Sequence, residues 1–144
     1  MKVYFYHTQN IQYCLSKMHQ GEFPSHFLYG ACHLASSGID VVYHRSPSKE
    51  KSRLKTTIYT AWQVLTCHEH IDAVYATHYK GVELLVLLRA LGIFRKPIVV
   101  WHHQPIVTPK SKLREWGGRL FYRGMDRLIF FSQKLVDDSL HSPK

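Results

Sequence analysis

Residues 72–103 read DAVYATHYKGVELLVLLRALGIFRKPIVVWHH, and this stretch decides the fold. It opens on a short apolar run, Ala73–Thr77, of the kind that forms a buried strand. The turn His78-Tyr79-Lys80-Gly81 leads into a helical run, Val82–Leu91, with Gly92 just past its end. Pro97 then opens a second apolar, β-branched run, Ile98–Trp101, at a position where its missing N–H costs little. Two such strands joined through a helix run parallel, because the chain must cross back over the sheet between them.

The alternation extends in both directions. Further strands are predicted at Lys2–His7, Asp40–His44 and Leu128–Phe131, and further helices at Ser25–Ser36, Lys51–His68, Lys112–Met125 and Gln133–Leu140. The expectation is a single Rossmann-like α/β domain over residues 1–144, a three-layer α/β/α stack around a five-stranded parallel sheet. Ser25, behind Pro24, is placed to cap the first helix, and Gly38 and Gly92 to end the first and third. One connection is out of scale. Thr8–Pro24 separates the first strand from its helix, where an ordinary βα loop has roughly two to six residues. Ile11, Tyr13, Leu15 and Phe23 imply that this long loop packs against something.

Composition bounds the rest. An apolar share of 45% over 144 residues supports a core, and there is no low-complexity tract. Met1-Lys2-Val3-Tyr4-Phe5-Tyr6 enters a strand directly, with no signal-peptide core behind it. The longest apolar stretch, Val82–Leu91, is interrupted by Glu83 and Arg89 and is too short to span a bilayer. Cys14, Cys32 and Cys67 have no Cys-x-x-Cys spacing and read as plain thiols in a reducing, cytoplasmic setting. The formal charge of +9 favours polyanionic partners, whether phosphate-bearing substrates, anionic membrane or nucleic acid. No RNA- or DNA-binding motif accompanies the charge, so nucleic acid is not expected. Much of the excess lies in Lys49–Lys55, read as a solvated face, and in Lys110–Arg127.

In a parallel sheet every strand ends on one edge, and ligands bind beyond those ends. Here the strands are followed by His7, by His44, by His78-Tyr79-Lys80-Gly81, by His102-His103-Gln104-Pro105 and by Ser132-Gln133. With eleven histidines some fall there by chance, and His44 fits that reading better than His78 or His103. A flavodoxin-type strand order, 2-1-3-4-5, would put the switch point between the first and third strands. The Thr8–Pro24 loop would then face the His78–Gly81 turn, with His78 and His103 opening into that cleft. Neutral imidazoles and Lys80 suit ligands rich in hydroxyls or carrying phosphate. His26 is placed to approach the crevice from the N-terminal end of its helix, while His33, seven residues on, reads as structural.

Other chemistries are disfavoured. Cys67-His68-Glu69-His70 lacks the i, i+4 histidine spacing of a helical zinc site and reads as a polar helix end. No Gly-x-Gly-x-x-Gly follows the first strand, and there is no P-loop and no Gly-x-Ser-x-Gly elbow. Thr8-Gln9-Asn10-Ile11 is a poor flavin turn. No bound cofactor or metal is expected.

Gly21-Glu22-Phe23-Pro24-Ser25-His26, followed by Leu34-Ala35 and Gly38-Ile39-Asp40-Val41-Val42, resembles the opening of family 4 glycosyltransferases of the GT-B fold. Asp72–His78 resembles the family's D-V-V-H-A-H strand, Lys96–His103 its P-V-V-x-T-x-H strand, and Met125–Ser132 its A-D-x-V-I-x-V-S strand. The four pieces occur in the family's order over nearly the whole chain. The resemblance implies a retaining transferase that moves a sugar from a nucleotide-sugar donor to an acceptor hydroxyl on a glycan or lipid-linked acceptor. It implies that residues 1–144 are the acceptor-side half, with the donor-binding domain outside them. On this reading His103 contacts the transferred sugar near its reacting centre. Gly21 matches the glycine turn that approaches the donor phosphates, Ser132 matches the serine closing the last strand, and His26, His78, Lys80 and His102 line the substrate. Glu22 stands where the family has a second glycine. The other reading left open is a free-standing flavodoxin-like binding or regulatory module.

Lys110–Arg127 carries a further expectation. Leu113, Trp116, Leu120 and Phe121 recur near helical spacing, with Lys112, Arg114, Arg119 and Arg123 around them. Such a helix can lie peripherally on the anionic inner face of a membrane, or it can spend the same stripe packing on the sheet. Gly117-Gly118 in its middle weakens it by roughly 1 kcal/mol per glycine.

Overall fold

Alternation along the first strand, β1 (Lys2–Tyr6), divides the core in two. Tyr4 and Tyr6 enter one hydrophobic cluster, and Phe5 between them enters the other. The computed structural model describes residues 1–46, 52–106 and 111–140. Its sheet adds β2 (Asp40–Tyr43), β3 (Ala73–Ala76), β4 (Ile98–His102) and β5 (Arg127–Phe130) in the order β2-β1-β3-β4-β5, every neighbouring pair parallel. Val3 sits opposite Val41 on one side and Ala73 on the other, so β1 is central and the reversal of strand order falls beside it. The five-stranded parallel sheet with β1 inside matches the sequence expectation.

On one face lie α2 (Arg53–Leu65), α3 (Glu83–Ala90) and α4 (Lys112–Arg123). Ala61, Val64, Leu85 and Val86 from α2 and α3 pack with Tyr4, Tyr6, Val74, Ile98 and Val100. Burying a side chain such as Leu85 fully contributes roughly 1.5–3 kcal/mol, which outweighs the modest helix propensity of any single position. Gly124 lets α4 approach α3: a Cβ there would lie 1.9 Å from the Val86 carbonyl oxygen. Asp126, at the start of β5, receives two hydrogen bonds from the Arg89 guanidinium and one from the Ile98 amide. That bidentate pair ties the end of α3 to the sheet and, with burial opposing it, holds the Asp126 carboxyl below its usual pKa.

The other face departs from expectation in two places. The segment read as a long loop, Thr8–Pro24, contains a helix, α1 (Ile11–His19). Asn10 caps it by accepting from the Tyr13 amide, and Ile11, Cys14, Leu15 and Met18 supply an i, i+3, i+4, i+7 stripe against Phe5. It closes on a left-handed Gly21, φ 74°, with the Gly21 amide on the Met18 carbonyl and the Glu22 amide on the Lys17 carbonyl. The helix expected at Ser25–Ser36 is instead three 3-10 turns, Ser25–Leu28, Ala31–His33 and Ala35–Ser37. Tyr29 and Gly30, both at positive φ, interrupt it, and Ser25 makes no side-chain cap. Gly38 and Gly92 take the left-handed conformation expected of them. A final helix, α5 (Gln133–Leu140), follows β5.

Only part of the amphipathic stripe of α4 packs on the sheet. Phe121 and Tyr122 pack on the core, whereas Leu113 and Trp116 are 77% and 65% exposed. The helix runs unbroken through Gly117 and Gly118. Residues 49–51 of the first basic run, Lys51 at the start of its expected helix, and Lys110 lie outside the described residues. Among the described residues no helix is long and apolar enough to cross a membrane.

Candidate functional site at the C-terminal edge of the sheet

Four strands deliver histidines to this edge, and after two of them the local geometry repeats. After β1, the Gln9 amide donates to His7 Nδ1 at 2.9 Å; after β3, the Lys80 amide donates to His78 Nδ1 at 2.9 Å. Each imidazole therefore caps its own turn two residues on, which fixes the ring. A neutral ring that accepts at Nδ1 carries its proton at Nε2, so both histidines offer an Nε2–H donor. Burial lowers the pKa of His7. Burial, followed by the neighbouring His103 and Lys80, pushes His78 down to about 4. Both are neutral at pH 7.

After β4 two adjacent histidines meet different fates. His102 is buried, with Nδ1 2.6 Å from the Gln104 carbonyl and Nε2 3.0 Å from the Tyr122 hydroxyl. A carbonyl only accepts, so Nδ1 bears the proton and Nε2 accepts from the tyrosine. Both ring nitrogens are engaged inside the domain, leaving none for a ligand. Burial first, then His103, lowers its pKa, against the opposing pull of the Gln104 carbonyl. His103 places Nε2 2.7 Å from the Thr77 carbonyl. By the same argument Nε2 donates, and Nδ1 is left as an acceptor. His103 stacks on His78 with ring centroids 5.1 Å apart and planes at 16°. The pair thus combines a donor, His78 Nε2–H, with an acceptor, His103 Nδ1.

Beside the pair lies a cavity of about 670 Å³ whose walls include His7, Gln9, His26, Tyr29, Trp101 and Phe131. That volume is in the range of small-ligand sites. Its aromatic wall is continuous with the histidines: Phe131 lies 4.8 Å from both Trp101 and His103, and Tyr29 lies 6.0 Å from His103. A relay of polar groups orients this wall. Trp101 Nε1 donates to the Tyr75 hydroxyl, which donates to the Tyr29 carbonyl at 2.7 Å. Tyr29 needs such support, because φ 50° is a left-handed conformation that bulky residues avoid.

The expected site residues fall into two groups. His78 and His103 stand together, His26 lines the cavity, and Lys80 is exposed on the turn between β3 and α3. Ser132 accepts from the Leu135 amide at the start of α5 and is exposed. Gly21 lies at the far end of α1, its amide and that of Glu22 used in closing the helix, while Glu22 pairs with Lys17. It does not line the cavity. His44 is buried among Tyr4, Tyr6 and Tyr59. Tyr29, Trp101 and Phe131 were not singled out from sequence; the aromatic residue at the end of each of β4 and β5 was the available signal. Among the described residues no three His, Cys, Asp or Glu side chains converge as a metal site.

Comparison with protein-family models, with curated proteins and with solved structures returned no match.

Proposed function

We propose that this domain holds the acceptor in a sugar transfer, as the acceptor-side half of a retaining glycosyltransferase of the GT-B type. The observation that carries the reading is the stacked His78–His103 pair, which does not itself line the cavity but meets its aromatic wall through His103 against Phe131 and Tyr29, beside the point where the strand order reverses. Sugar rings present C–H faces that pack on aromatic side chains and hydroxyls that both donate and accept. A wall of Tyr29, Trp101 and Phe131 answers the first, and a neutral imidazole donor beside an imidazole acceptor answers the second. Neutrality matters, because an imidazolium at His78 would offer donors alone and would carry charge into a partly buried site.

On this reading His103 Nδ1 accepts from a hydroxyl of the transferred sugar and fixes it near the reacting carbon. A nucleotide-sugar donor approaches across the same edge, held mostly by a second domain, with Lys80 at the rim near its phosphates. In the two-domain enzyme His103→Ala is expected to lower kcat about 100-fold or more with a smaller change in acceptor KM. Unchanged turnover would remove His103 from the mechanism.

A second reading, a free-standing flavodoxin-like binding module, is favoured by the β2-β1-β3-β4-β5 strand order with a cavity of small-ligand size at the C-terminal edge of the sheet. Calorimetry on the 144-residue chain separates the two. The transferase reading expects weak or no binding of nucleotide sugars to this half, and micromolar binding would favour the module.

A further inference from the structure

The outer surface of the α2–α3–α4 layer, away from the cavity, is apolar where a solvated helix layer would be polar. Leu54, Ile58, Trp62 and Leu65 form one stripe along α2 and are 69%, 51%, 61% and 57% exposed. Their i, i+4, i+8, i+11 spacing keeps them on one side of the helix, opposite the buried Thr57, Thr60 and Val64. The middle helix α3, in contact with both neighbours, continues the surface with Leu87 and Leu91. On α4 the exposed Leu113 and Trp116 complete it. Isolated exposed leucines are ordinary; a run across three adjacent helices with two tryptophans indicates a contact surface.

The charges around this surface select its occupant. On α4, Lys112, Arg119 and Arg123 lie at i−4, i+3 and i+7 from Trp116, so they share its side of the helix. Lys55 adjoins Leu54 on α2. The two carboxylates of these three helices, Glu83 and Glu115, already pair with Arg53 and Arg119. A second copy of the chain would therefore set basic helices against basic helices, which opposes self-association. An anionic lipid surface meets both demands: apolar side chains and tryptophan at the headgroup boundary, and phosphates for the lysines and arginines.

We propose that the outer face of α2, α3 and α4 docks on an anionic membrane surface, with Trp62 and Trp116 entering the headgroup region. This does not rest on the transferase reading, since the cavity lies elsewhere and the two can fail separately. The test is co-sedimentation of the 144-residue chain with vesicles of phosphatidylcholine, with and without phosphatidylglycerol. Binding is expected to require phosphatidylglycerol and to fade with added salt. It should drop about tenfold or more in Trp62→Gln/Trp116→Gln and again in Lys112→Glu/Arg123→Glu. These positions are exposed, so thermal unfolding of each variant should match the parent and show that folding is intact. Absence of binding at low salt, or binding unchanged in both variants, overturns the proposal. So does concentration-dependent dimerisation abolished by Trp62→Gln/Trp116→Gln in a chain that ignores vesicles, which assigns the face to a second copy. Capture by soluble polyglutamate without vesicle binding would assign it to an acidic protein and overturns the proposal equally.

Discussion

On one face of the sheet three regular helices lie over a continuous core; on the other, α1 and three 3-10 turns leave a cavity of about 670 Å³. The strands are shared, so the difference lies in the connections. On the regular face α2 and α3 bury periodic stripes against the strands, and α4 adds the partly buried Phe121 and Tyr122. On the irregular face Tyr29 and Gly30 stop a helix before it can cover the strand ends, and the exposed ends of β1, β4 and β5 become walls. Regular packing gives stability, and its local failure, supported by the Trp101–Tyr75–Tyr29 relay, opens space for a ligand.

Substitutions that respect this division should behave differently on the two faces. The largest effect is expected at Gly81, where φ is 96° and a Cβ would lie 1.8 Å from the hydroxyl of the buried Tyr6. Gly81→Ala should cost about 2–5 kcal/mol in urea unfolding, summing left-handed strain and overpacking. Next comes pH. Burial among Tyr4, Tyr6 and Tyr59 pushes His44 down to about 4, while an unfolded histidine titrates near its ordinary 6.5. The folded state binds fewer protons between those values, so stability is complete above about pH 6.5 and falls as pH drops towards 4. The loss from His44 is about 3 kcal/mol, with His78 acting in the same direction. Unfolding titrations at pH 7 and pH 4.5 should be closer together in His44→Gln than in the parent; an equal gap would remove His44 as the source.

Smaller effects are expected on the irregular face. Gly21 has a similar positive φ, yet nothing lies within 4 Å of a Cβ there, so Gly21→Ala should cost only about 1 kcal/mol. Tyr29→Gly relieves φ strain while losing ring contacts, so stability should change by less than about 1 kcal/mol. The same variant removes a cavity wall and should abolish sugar binding. A Tyr29→Gly protein that is unfolded, or one that binds sugar as well as the parent, would break the division between the faces.

The strands, their order and the α2–α4 layer were legible because two-residue and 3.6-residue periods are written directly in apolar positions. Residues 8–37 were misread for a physical reason. The cap at Asn10 and the closure at Gly21 frame a helix of nine residues, and its stripe was noticed only as loop packing. The Ser25–Ser36 run has helical composition, but left-handed backbone at Tyr29 overrides it, and no periodicity announces a tyrosine there. Of the candidate site, the strand-end histidines could be placed on one edge from topology alone. Their roles could not, because His102 and His103 are identical in sequence terms. Tyr122 and the Gln104 carbonyl engage one, and the Thr77 carbonyl leaves the other half-free.

That contrast between neighbouring histidines gives the most direct test of the site. Long-range ¹H–¹⁵N NMR of the imidazole rings reports the tautomer and hydrogen bonding of each nitrogen. The free chain should show a neutral His102 at pH 7 with its proton on Nδ1, and His103 with Nε2–H on the Thr77 carbonyl. On titration with a methyl glycoside to high millimolar concentration, His103 Nδ1 and His78 Nε2 should shift together while His102 stays fixed. Shifts at His102 without any at His103, or no response from the stacked pair at saturating sugar, would contradict the account.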